Sequence, residues 1–102
     1  MEILKEKLID AIKIQDKSIV SRQIIKKPNG NITLFAFDKD ESLTEHTSPY
    51  EALVQIVKGR MTITIGGKPF QVGEGEIILL PPDIPHGLVA LEATVMLLTM
   101  IK

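Results

Sequence analysis

The chain has 102 residues, 44% of them apolar and 25% charged, the balance of a folded globular chain rather than a disordered one. Cysteine is absent, which excludes a disulfide framework, a thiolate metal site and a cysteine nucleophile. With 12 basic residues against 13 acidic ones, a net charge of -1 and 4% aromatics, nothing favours a nucleic-acid partner, a membrane surface or a base-stacking platform.

The length predicts one domain over residues 1–102, because two independent cores need more chain. Residues 1–13 mix charged and apolar groups and lack the apolar core of a secretory signal. No run approaches the roughly 18 to 20 apolar residues of a membrane span, so a cytoplasmic location is expected.

In chain order, Ile3, Leu4, Leu8, Ala11 and Ile12 lie near helical spacing, with Lys5, Glu6 and Lys7 polar. The pattern predicts a short amphipathic helix, with an extended arm as the alternative. Ser18 to Lys27 reads as a strand, and Pro28-Asn29-Gly30-Asn31 as a turn with two residues tolerant of positive φ. Ile32 to Phe37 is a second strand, and Asp38 to Ser42 a polar connection. Ala52–Lys58, Met61–Ile65 and Lys68–Val72 follow as strands, the last two joined by Gly66-Gly67 in a two-residue hairpin of the primed type. Gly73 and Gly75 bracket a turn before the strand Glu76–Leu80, which Pro81-Pro82-Asp83 stops. His86–Leu91 and Thr94–Ile101 close the chain. Short strands at near-regular spacing, with Gly and Pro between them, predict an all-β sandwich or barrel.

The last strand is apolar at Val95, Met96, Leu97, Leu98, Met100 and Ile101, whereas a strand with one solvated face alternates. Cover on both faces is expected, from the N-terminal segment or from a second copy, and a homodimer is the expected assembly.

Gly75, five residues, Pro81, one residue, Asp83, two residues and His86 form a spaced set between turn signals. The set resembles the second motif of the cupins, with Asp83 where the family has Gly and Ala90 where it has Asn. Thr44 to Gly59 resembles the first motif in degraded form. Thr44 and His46 occupy the two His positions, and Asp38 stands where a Gly opens the motif. Glu51 fits the spacing forward from His46, but counting back from Gly59 the Glu position falls on Ala52. The resemblance covers about residues 32–101 and implies a double-stranded β-helix, or jelly-roll, barrel.

Metal-binding cupins typically use three His and one Glu inside the barrel, for dioxygenase, decarboxylase, isomerase or lyase chemistry. This chain has two histidines, and both fall on ligand positions. The resemblance thus implies His46, His86 and Glu51 as candidate ligands of one divalent transition metal: iron, manganese, zinc, nickel or copper. A bulge near Ala52 turns Glu51 inward and completes a facial triad; a regular strand turns Glu51 to solvent and leaves two imidazoles. Thr44 is a poor ligand, and Ala52 is none. Tyr50 is a candidate for the barrel mouth, able to give a hydrogen bond to a ligand. Gln55 differs in parity from Ala52 and is expected to point away from the pocket, towards a subunit contact. Phe35, Phe37, Met61 and Met96 read as core, with Met able to form an adaptable pocket wall.

Two function classes follow. One is a binding protein that holds a small organic molecule in the barrel through His46 and His86, with or without a metal. The other is a metal-dependent enzyme of dioxygenase or isomerase type. A regulatory sensor ranks third, because it needs a separate DNA-binding partner.

Overall fold

The computed structural model describes residues 3–102. Among the described residues nine strands form: β1 (Ile19–Lys27), β2 (Gly30–Phe37), β3 (Ser42–His46), β4 (Glu51–Lys58), β5 (Arg60–Ile65), β6 (Lys68–Gly73), β7 (Ile77–Leu80), β8 (His86–Ala90) and β9 (Thr94–Ile101). They make two antiparallel sheets, ordered β1-β2-β9-β4-β7 and β3-β8-β5-β6. This is the all-β architecture expected from the strand spacing, in the jelly-roll form that the resemblance implies.

Alternation sets what each sheet gives to the interior. On β4, Ala52, Val54 and Ile56 are buried and contribute to the main core, whereas Glu51 and Gln55 between them are exposed. On β9, Met96, Leu98 and Met100 face the same core, together with Phe37 from β2 and Met61 and Ile63 from β5. Leu34, Ala36 and Val95 form a second cluster on the outer face of the five-stranded sheet.

Ile12 completes that second cluster, with Ala11 and Leu97 packed against it. The N-terminal segment therefore supplies cover for the outer face of β9, as an arm and not as the expected helix. Among the described residues its only helical piece is one 3₁₀ turn, Leu8–Asp10. An isolated helix of about ten residues is marginal in water, and tertiary contacts decide its shape. Here Arg22 and Ile12 together hold it. The Arg22 guanidinium donates to both carboxylate oxygens of Glu6, at 3.1 and 2.6 Å, and to the Ala11 carbonyl at 3.0 Å. That fork fastens the arm across β1 while Ile12 reaches the sheet. The ion pair holds the Glu6 carboxyl below its usual range and the Arg22 guanidinium above its own.

The turns divide into those that need left-handed backbone and those that need space. Gly66 and Gly67 both take positive φ (56° and 82°), as a primed hairpin demands. The β1–β2 hairpin differs from expectation. Its loop is Pro28-Asn29, and neither Asn29 nor Gly30 adopts positive φ. Gly30 is a glycine for room, since a Cβ there would lie 2.5 Å from the Met100 carbonyl oxygen. No buried side-chain nitrogen or oxygen among the described residues lacks a partner. Thr94, fully buried, donates its hydroxyl to the Glu92 carbonyl at 2.8 Å and accepts the Arg60 N–H at 3.2 Å.

The junction between arm and barrel rests on Asp38. Its carboxylate accepts the backbone N–H of Lys17 at 2.7 Å, where the chain turns through a φ of 52°, and that of Lys39 at 2.9 Å. These two donors, Lys17 first, lower the Asp38 pKa. A carboxyl depressed in the folded state stabilises above its unfolded pKa, and the contribution fades as pH falls through the folded value. Asp38→Asn should therefore lower the urea midpoint at about pH 7, and the gap to the parent should close towards about pH 2. Paired urea titrations at the two pH values check this.

Candidate functional site

Between the sheets lies a partly enclosed cavity of about 220 Å³. Nine of its walls are apolar: Phe35, Leu43, Ala52, Val54, Leu80, Leu88, Met96, Leu98 and Met100. Its polar lining is His46, Ser48 and His86.

The two histidines meet through an irregularity in β3. Leu43 pairs with Leu88 and His46 with His86, so three steps along β3 match two along β8. Thr44 and Glu45 together oppose Gly87, which is a β-bulge. In a regular strand Leu43 and His46 would face opposite sides. The extra residue brings both to the cavity. The imidazoles then sit edge to face, with centroids 4.4 Å apart. His86 is buried and His46 is exposed at the rim.

Each ring is oriented by a backbone carbonyl two residues before it. His46 Nδ1 lies 2.9 Å from the Thr44 oxygen, and His86 Nδ1 lies 3.2 Å from the Ile84 oxygen. A carbonyl only accepts, so Nδ1 donates in both rings, and in the neutral imidazole Nε2 keeps a bare lone pair. Thr44, aligned with a family ligand position, thus serves through its carbonyl, its residue being exposed and outside the lining. Ser48, which no motif in the sequence marks, also lines the cavity. Its Oγ accepts the Tyr50 N–H at 3.2 Å, and its carbonyl accepts the Asp83 N–H at 2.8 Å. The second bond ties the β3–β4 connection to the loop that carries His86. Asp83 takes a φ of 64° there, where the family motif has Gly.

Glu51 and Tyr50 do not join the site. The β4–β9 ladder runs without a slip from Glu51 opposite Ile101 to Ile56 opposite Met96, so no bulge occurs at Ala52. Alternation then faces Ala52 into the cavity and leaves Glu51 exposed. Tyr50 precedes the strand, in a bend, and its ring packs near the Lys102 ammonium, 6.0 Å from nitrogen to centroid. Gln55 is exposed on the outer face of the sheet, as its parity predicts.

The donor set does not make a metal cage. Oriented imidazoles with bare Nε2 atoms are good ligands, and their carbonyl partners are the usual outer support. A protein-held zinc or iron site needs at least a third donor of similar strength. Among the described residues no three His, Cys, Asp or Glu side chains stand together, and Ser48 supplies only a neutral hydroxyl.

Two facing sheets around a ligand-sized cavity define the jelly-roll barrel class of binding and catalytic proteins. The family model for the cupin domain matches residues 33–102, and the chain belongs to this family. A conserved protein of unknown function from Streptococcus pyogenes has a similar structure (TM-score 0.94) at 34% identity, over 100% of this chain and 90% of that one. A cupin 2 conserved barrel domain protein from Leptotrichia buccalis is 38% identical, with a TM-score of 0.87, over 92% of this chain and 46% of that one. The salicylate 1,2-dioxygenase of Pseudaminobacter salicylatoxidans shares the fold (TM-score 0.76) at 10% identity, over 81% of this chain and 26% of that one. No curated protein matches the chain. No helix among the described residues is long and apolar enough to cross a membrane.

Gly87 positions the histidine pair. A Cβ at Gly87 would meet the Leu43 oxygen at 3.1 Å and the Glu45 nitrogen at 3.2 Å, both backbone atoms of the bulge. Gly87→Ala should cost about 1–3 kcal/mol, the usual penalty of forced overpacking. It should also separate the rings. A urea titration reads the first effect, and loss of the cross-peak between the two imidazoles in a nuclear Overhauser spectrum reads the second.

Proposed function

We propose that this cupin is a binding protein for a small, largely apolar organic molecule, held in the barrel with His46 and His86 as its polar contacts. The observation that carries this reading is the distribution of the lining: nine apolar walls, with the polar side chains His46, Ser48 and His86 as the remainder. Such a pocket gains affinity from apolar burial and orientation from a few polar atoms. Met96 and Met100 give it walls that adapt to shape.

The chain has four methionines, which makes the test direct. With ¹³C-methyl methionine, added toluene should shift the Met96 and Met100 signals, which line the cavity. Met61, buried in the core but outside the lining, should stay still. If Met96 and Met100 do not move, the pocket is not a binding site and the reading fails.

The alternative of a metal-dependent dioxygenase or isomerase draws support from the paired Nε2 atoms and needs a donor that Ala52 does not provide. Untagged protein, soaked in zinc and desalted, should therefore retain far less than about one equivalent. Ala52→Glu adds a carboxylate at a lining position and should raise retention towards about one equivalent, read by elemental analysis. Full occupancy of the unsubstituted chain by zinc, iron, manganese, nickel or copper would instead favour the enzyme.

We infer also that a second copy pairs with the outer face of the five-stranded sheet. Ile77, Leu79 and Ile101 stay exposed there, outside the cluster that the arm covers. Ile77 and Leu79 lie on β7 and Ile101 on β9, on either side of β4, and a two-fold axis lets one such patch cover itself. Light scattering should give twice the chain mass, and Leu79→Lys should return it to one.

A further inference from the structure

Resting on the binding reading above, we propose the chemical class of the ligand: a neutral single-ring compound bearing a hydroxyl, a phenol or an enol, and not a carboxylate or phosphate. Size comes first. An apolar cavity of about 150 Å³ already takes benzene. The present one, at about 220 Å³, has room for one six-membered ring with a small substituent or two.

Polarity decides the head group. His46 and His86 spend their Nδ1 protons on the carbonyls of Thr44 and Ile84. Each turns a bare Nε2, an acceptor, to whatever shares the cavity. Ser48 accepts the Tyr50 N–H at its oxygen and keeps its own O–H to give. The polar edge therefore offers two acceptors and one donor. One ligand hydroxyl satisfies it, giving its proton to an imidazole Nε2 and taking the Ser48 proton.

An anion fits badly. Among the described residues no Lys or Arg lines the cavity. A carboxylate would set its lone pairs against two imidazole lone pairs, with one serine hydroxyl as its donor. A buried charge without a partner is strongly disfavoured. A plain hydrocarbon fills the space but leaves the His86 acceptor, on a buried residue, without a donor.

The experiment compares toluene, phenol and benzoate, three single rings that differ in head group. The methyl signals of Met96 and Met100 are followed at about pH 8, where phenol keeps its proton and benzoate is charged. A chelator is present throughout, so that no metal ion occupies the imidazole Nε2 atoms. Phenol should saturate the shifts at a concentration where benzoate causes none. His46→Phe should weaken phenol about tenfold, the effect of one hydrogen bond, and leave toluene within about twofold. An unmoved Met61 signal certifies the core of the variant, and His86→Phe, read the same way, serves if His46→Phe does not fold. Benzoate binding as tightly as phenol would overturn the proposal, as would phenol affinity that ignores both substitutions. In either case toluene still binds, and the pocket reading stands. Failure of toluene itself removes the pocket reading instead.

Discussion

Strand alternation gives the space between two sheets only every second residue, and the chemistry of this barrel follows from which residues those are. On β4 the inward set is Ala52, Val54 and Ile56, so a carboxylate one position away is spent on solvent. On β9 it is Met96, Leu98 and Met100. Both strands are central to the five-stranded sheet, paired on each side, and their ladders run without a slip along the cavity wall; the single shift between them falls beyond it, between Ile56 and Lys58. The apolar walls of the cavity are therefore among the most firmly specified features of the molecule.

The polar edge is built differently. β3 is an edge strand with a bulge, the usual place for a strand to break its own alternation and re-aim a side chain. The bulge costs regular pairing at Thr44 and Glu45 and needs a glycine opposite it. In return it brings His46 onto the face of Leu43 and against His86, which arrives from β8 behind a proline-rich loop. The Ser48 carbonyl and the Asp83 N–H join the two connections. The histidine pair thus depends on two segments distant in sequence that are held to each other by backbone, not by the rings themselves.

The outer face of the five-stranded sheet poses a separate problem, because β9 is apolar on both sides. The arm answers part of it. Ile12 packs with Leu34, Ala36 and Val95, and Arg22 holds the arm through Glu6 and the Ala11 carbonyl. Surface ion pairs are weak by themselves. Here the pair acts with a third hydrogen bond and a buried isoleucine, and the combination selects an extended arm where local spacing suggested a helix.

Much of this was legible in the sequence. Turn residues and β-branched runs marked eight of the nine strands, Gly66-Gly67 announced a primed hairpin, and the spacing of Gly75, Pro81 and His86 pointed to the family. β3 was not marked, because Ser42-Leu43-Thr44-Glu45-His46 carries a single apolar residue and pairs along one edge only. The resemblance also put both histidines at candidate ligand positions. Only the tertiary structure decided which residues share the cavity with them. The place of a bulge depends on contacts across a ladder, here β3 against Gly87 of β8, and local spacing does not encode it. The same holds for Glu51 and Ala52. Adjacent in sequence, they differ by one step of a period of two, and the register with β9 turned the alanine inward and the carboxylate out.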